Sequence, residues 1–245
     1  MRLALVSDLH GNLPALEAVL AELDEAGIDA LVCLGDIAAG PDPRETIERL
    51  RTLDCPVVRG NWDTWLIDRI PELGGQAGPK LRDQGTWCAA QLGEGDKAFL
   101  AELSPRVELD LDGVSVLCVH GSPRSLMEDI HATTPDDRLA EMLDGDRPAV
   151  LAAGHTHVQL VRQHRSTLIV NPGSVGLPFH SWPPNGVIRM SPWAEYAVLT
   201  VEDGRISTEL RRVAYDVSDL VAHARESEMP HREWWGEQWL SRERT

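Results

Sequence analysis

Short, nearly continuous apolar runs recur along the chain: Leu3-Ala4-Leu5-Val6, Ala30-Leu31-Val32-Cys33-Leu34, Pro56-Val57-Val58, Val114 to Val119, and Ala149 to Ala153. Half-exposed strands alternate, so runs of this kind predict strands buried on both faces with helices packed over them. Between the first two runs, Leu16, Val19, Leu20 and Leu23 fall on one helical stripe. Pro14 suits the first turn of that helix and Gly27 its end, which predicts a helix over 13–26. The next unit repeats the plan. Asp42-Pro43-Arg44-Glu45 reads as a capping box with proline at the first helical position, Ile47, Leu50 and Leu53 form the stripe, and 56–59 reads as a strand. This strand-helix-strand order predicts an α/β protein, and a right-handed crossover sets Asp36 near Asp8 on one sheet edge.

Farther along, 62–104 reads as helical with a Pro/Gly break at 71–79, an excursion laid over the ends of the strands. Asp112-Gly113 turns a hairpin of 107–111 with 114–119, and hairpins are expected at 159–163 with 166–170 and at 195–201 with 205–213. Thr134-Pro135 is read as the cap of a short helix with Leu139, Met142 and Leu143 inward, and two amphipathic helical stretches rich in tryptophan close the chain at about 216–240. No repeat or linker divides the sequence, so residues 1–245 are expected to form a single domain.

Charge narrows the choice of partner. Acidic side chains outnumber basic ones 39 to 23, for a net charge of -16. That balance argues against a nucleic-acid polymer or an anionic membrane and leaves room for a small phosphorylated substrate, because bound cations reverse the field locally. Cys33, Cys55, Cys88 and Cys118 are scattered without a C-x-x-C pair, so reduced thiols in a cytoplasmic protein are expected. The apolar start is too short for a signal peptide and no later stretch could span a bilayer.

The chemistry gathers just past the buried strands. Asp8 and His10 follow the first, Asp36 the second, Asn61 the third, then His120, then His155 with His157, and Asn171 after the next. A carboxylate and an imidazole two residues apart can close on one ion, and the whole set offers oxygen and nitrogen without thiolate, which suits Mn, Fe or Zn. Asp and His are common in loops, yet metal-ligand types at strand end after strand end are poorly explained by chance.

These motifs, Asp8-Leu9-His10, Gly35-Asp36, Gly60-Asn61-Trp62-Asp63, His120 and Gly154-His155-Thr156-His157, resemble those of the calcineurin-like metallophosphoesterases, and the likeness runs along nearly the whole chain. The resemblance implies a four-layer α-β-β-α sandwich of two facing mixed sheets flanked by helices. It also implies two divalent or transition metal ions. Asp8, His10, Asp36 and His157 would hold one, Asp36, Asn61, His120 and His155 the other, with Asp36 bridging. Two cations about 3.5–4 Å apart repel, so a shared carboxylate and a shared hydroxide belong between them, and that hydroxide is the natural nucleophile at phosphorus. His10, Asp36, Asn61 and His120 are assigned to the catalytic centre. The expected activity is that of a phosphodiesterase or nucleotide-anhydride hydrolase; a phosphomonoesterase or protein phosphatase, or a metal-bound module without activity, are the alternatives.

One position departs from the family pattern. Trp62 stands where the family has a histidine that binds phosphate and protonates the leaving group, and an indole N–H can donate a hydrogen bond but cannot serve as an acid. Either substrates are those whose leaving group needs no proton, or His131 or His180 substitutes. Asn61, Trp62, Arg124 and His180 are the residues assigned to substrate binding, with Arg59 a further guanidinium for the phosphate. The Gly121-Ser122-Pro123 serine reads as a loop residue, Cys33 and Cys118 as core thiols, and His164, His223 and His231 as surface residues. Trp182 and Trp193 flank a proline-rich loop that could line the pocket, and Trp234, Trp235 and Trp239 suit a docked terminal helix or a homodimer interface.

Overall fold

The first strand, β1 (Arg2–Val6), is apolar throughout because it has no solvent side. Leu3 and Leu5 point into a core shared with a second sheet, while Ala4 and Val6 point the other way into a core roofed by helices. In the computed structural model, which describes residues 1–180 and 189–240, β1 pairs in parallel with β2 (Ala30–Cys33), Leu3 opposite Ala30, after the helix α1 (Leu13–Ala26). On its other side β1 meets β8 (Trp193–Glu202) antiparallel, and β8 pairs with β9 (Arg205–Ala214), giving the order β2-β1-β8-β9.

The second sheet holds β3 (Arg106–Leu111), β4 (Val114–Val119), β5 (Val150–Ala152), β7 (Thr167–Asn171) and β6 (Leu160–His164), in that spatial order. Its inner face contributes Val116, Cys118, Val150, Ala152 and Val170 to the core between the sheets. Its outer face, Leu117, Leu151 and Ile169, is covered by α6 (Asp136–Met142) through Leu139 and Met142. Helices α1 and α2 (Pro43–Arg51) cover the outer face of the first sheet, so the layers run helix, sheet, sheet, helix, both sheets mixed. Three helices, α3 (Asn61–Ile67), α4 (Gly78–Gln91) and α5 (Glu94–Glu102), make up the expected excursion, and α7 (Val217–Glu226) with α8 (Arg232–Leu240) closes the chain. Among the described residues no helix is long and apolar enough to cross a membrane.

Several local expectations need correction. Residues 56–59 form no full strand: only Val57 and Val58 make isolated bridges, to Cys33 and Ser104, since Pro56 has no N–H to donate and the chain turns away at Gly60. Asp42 precedes α2 without capping it through its side chain; its carboxylate instead lies 2.6 Å from His223 Nε2 on α7. The cap of α6 is Pro135, while Thr134 Oγ1 accepts a hydrogen bond from His131 N. His164 is 3% exposed, drawn under Asp136 with its Nδ1 3.4 Å from the carboxylate, and is not a surface residue. Trp193 lies within β8, its indole N–H donating to Glu195 and its ring under Arg212; Trp182 falls outside the described residues. Cys33 and Cys118 are buried as expected, and burial pushes the Cys118 thiol up to about 12.

Candidate metal centre

The strand ends are knitted to one another before any side chain is considered. Asp8 N donates to Gly35 O, His10 N to Asp36 O and Gly11 N to Ile37 O, so the loops after β1 and β2 run as a pair. Gly154 N donates to His120 O and Gly176 N to Asp8 O, drawing in the second sheet. Five of the ligand-type residues adopt positive φ: Asp8 at 55°, His10 at 46°, Asp36 at 56°, His155 at 67° and His157 at 56°. Asp and His tolerate this region better than most residues, and such conformations persist only where their surroundings impose them. Gly60 has to be glycine, because a Cβ there would run into the Asp36 carboxylate.

Two groups of ligand atoms result, Asp8 with His10 and His157, and Asp36 with His120 and His155, each within 4.8 Å. Each group draws on both sheets. Three imidazoles have Nδ1 against a backbone carbonyl: His10 at 3.3 Å from Ala39 O, His120 at 2.8 Å from Leu34 O and His157 at 2.7 Å from Leu177 O. With the proton on Nδ1, each presents an Nε2 lone pair to the centre. His10 Nε2 and His157 Nε2 lie 3.2 Å apart, close enough for both to reach one cation. Asp8 Oδ1 is buried without a hydrogen-bond partner, 3.2 Å from His157 Nε2. Asp36 Oδ2 stands between the groups, 3.7 Å from His10 Nε2 and 3.4 Å from His120 Nε2. Asn61 Oδ1 is 3.0 Å from His120 Nε2. An orphaned carboxylate oxygen and facing nitrogens, with no thiolate among them, fit two borderline divalent ions.

Protons take the place of those ions in the metal-free protein. Burial would push the His120 imidazole down, but the Asp36 carboxylate beside it prevails and raises it to about 10. His157 also rises, Asp8 overcoming burial, and Asp8 itself is held far below the usual carboxylate range despite burial because His157 lies against it. His10 falls to about 4 through burial and the charge on His157, and His155 falls through burial and the charge on His120. Two imidazolium charges therefore balance two carboxylates.

Around this centre lie groups to which the sequence reading gave no role of their own. Asp63, fully buried, accepts from Asp36 N at 2.9 Å, Ile37 N at 2.9 Å and Gly60 N at 2.8 Å, and so fixes the Asp36 loop. Its place at the third residue of a helix with Gly60 as cap was the available signal. Ser7 Oγ donates to Asp8 Oδ2 at 2.6 Å, and Asp129 Oδ1 lies 3.4 Å from His155 Nε2. Asn171 braces Gly154 O and Thr156 Oγ1 with its amide.

A cavity of about 340 Å³ opens over the centre, with His10, Asp36, Asn61, His155 and His157 in its floor. Trp62 lies in its wall, its backbone N donating to Asp36 Oδ1 and its ring edge-on to Trp65. The other residues assigned to substrate binding are elsewhere: Arg124 is bound to Glu128, and exposed His180 is not in the lining. His131 is not in the lining either, and Arg59 donates to Ala101 O. Trp234 and Trp235 face the cavity and Trp239 packs on Tyr215, so these rings are used within the chain.

The family model of the calcineurin-like phosphoesterase superfamily domain matches residues 1–204, and the chain belongs to that family. Phosphodiesterase YfcE of Escherichia coli is 28% identical over 191 residues, covering 73% of this chain and 81% of its own. An uncharacterized protein of Methanocaldococcus jannaschii is 28% identical over 257 residues and 96% of each chain. The crystal structure of a metallophosphoesterase from Sphaerobacter thermophilus superposes with a TM-score of 0.72 at 31% identity, covering 94% of this chain and 95% of that one. The two mixed sheets flanked by helices are those of this family.

Proposed function

We propose that the chain is a two-metal phosphodiesterase. The observation that carries this reading is the pair of ligand groups, each drawn from both sheets, sharing the floor of one cavity around Asp36 Oδ2. Asp8, His10 and His157 would hold one ion and His120, His155 and Asn61 the other, with Asp36 between them. The ions supply Lewis-acid activation of water and neutralise phosphoryl charge. The protein's own contribution is position. Carbonyls of Ala39, Leu34 and Leu177 lock three imidazoles in one tautomer, and Ser7 and the Trp62 amide anchor the two carboxylates.

Trp62 limits the reaction. No histidine other than the ligand residues lines the cavity among the described residues, so no titrating side chain stands ready to protonate a departing alkoxide. The substrates are therefore esters whose leaving group departs as a stable anion. All four cysteines are unpaired, and a reducing cytoplasm is the compartment that suits them.

The test is hydrolysis of bis-p-nitrophenyl phosphate beside the p-nitrophenyl monoester, on apo protein restored with Mn, with Asn61→Ala as control. Metal-dependent diester cleavage that the variant loses by about 10² or more is expected. Absence of diester turnover with two ions bound, or full activity of Asn61→Ala, would overturn the proposal.

A further inference from the structure

The cavity wall constrains the part of the substrate that does not react. Above the ligand residues it is built from Trp62 and Trp65 of α3, Phe179, and Met229, Trp234 and Trp235 from α8 and its approach. Among the described residues no lysine or arginine lines it. Lys80 lies over the ring of Trp234 at 4.8 Å, outside the lining. The polar side chains in the wall, Gln84 and Gln238, each spend an amide N–H on a backbone carbonyl, of Pro230 and of Trp234.

A single phosphoryl group can be neutralised by the ions in the floor. Any further phosphate or carboxylate would have to give up its water against indoles and thioethers, with no counter-charge among the described lining residues to offset the loss. The chain's net charge of -16 adds repulsion. An apolar arm faces no such barrier, and aromatic and methionine side chains receive it well.

Resting on the phosphodiesterase reading, we infer that the substrate is a monoanionic phosphodiester whose second arm is an uncharged apolar group, aryl or alkyl, and is not a nucleoside polyphosphate. The apolar arm lies against the tryptophan wall while the phosphodiester sits on the floor.

Three p-nitrophenyl diesters with a common leaving group test this, the second arm being phenyl, ethyl or 2-carboxyethyl, each assayed with the Mn-restored enzyme beside ATP. The expected kcat/KM falls in that order by about tenfold per step, with ATP hydrolysed more slowly than the phenyl ester. Met127 lies on the cavity lining and is 51% exposed, so a charge there is compatible with folding. Met127→Lys is expected to raise the carboxyethyl ester relative to the phenyl ester by about fivefold. Equal kcat/KM for the three diesters, preference for the charged arm, faster turnover of ATP, or an unchanged ratio in Met127→Lys would each overturn the inference while leaving the phosphodiesterase reading intact. Hydrolysis of none of the diesters would overturn both.

Discussion

Metal affinity should depend steeply on pH, because the ions must displace protons that the metal-free site holds tightly. His120 in the apo protein titrates at about 10 against an ordinary 6.5, a difference equivalent to roughly 5 kcal/mol at about 1.4 kcal/mol per unit. This group stabilises the apo fold fully below pH 6.5 and ceases to do so as pH rises through 10. A metal that needs the neutral imidazole gains what the proton loses. At pH 7, three units below that value, the proton weakens ion binding at His120 by about a thousandfold, and each unit of pH returns about tenfold. His157, raised by Asp8, adds to the slope at the other group. Between pH 6.5 and 8.5 the Mn dissociation constant should therefore fall by about a hundredfold or more. Calorimetric titration in buffers of different ionisation enthalpy measures both that slope and the number of protons released. Asp36→Asn removes the carboxylate that raises His120 and should release fewer protons over this range. A dissociation constant independent of pH, or binding without proton release, would refute the reasoning.

Trp62→His restores a group able to donate a proton beside Asp36, and hydrolysis of glycerol phosphate should rise by about 10² or more while p-nitrophenyl diesters change by less than about tenfold. Glycerol phosphate turnover left at the starting level would show that the missing acid is not what limits the reaction. Gly85→Ala puts a Cβ 2.6 Å from the Trp62 ring, which has to swing toward the cavity. KM for a phenyl diester should then rise by about tenfold with a smaller change in kcat, and steady-state kinetics that leave KM unaltered would count against the placement of that ring.

Much of this architecture was legible locally. Apolar runs announced the buried strands β1, β2, β4 and β5, and each delivered its ligand residues at the next turn, since parallel strands put such turns along one edge; the run at 56–58 delivered Asn61 without forming a full strand. Arg124 and His180 lie outside the cavity lining, and for Arg124 the cause is not local: whether a long side chain reaches a site depends on the partner it meets, and Glu128 holds the guanidinium. Asp63 stood inside a quoted motif without a role, and Asp129 was passed over, because their contacts with Asp36 N and His155 are far off in sequence. The apolar wall had no signature at all. Its rings come from 62–65, 179 and 234–235, and no spacing rule connects segments so distant.

Each ligand group takes residues from both sheets, with Asp8, His10 and Asp36 on one side and His120, His155 and His157 on the other. An ion so held would be a fastener as well as a reagent, clamping together two slabs that otherwise meet along their shared apolar core. Under scarcity of metal the same loops would hold imidazolium against carboxylate, a looser clasp than coordination, and the seam between the slabs becomes the natural place for the fold to begin to open. Supply of the ions would then set the lifetime of the protein as well as its turnover.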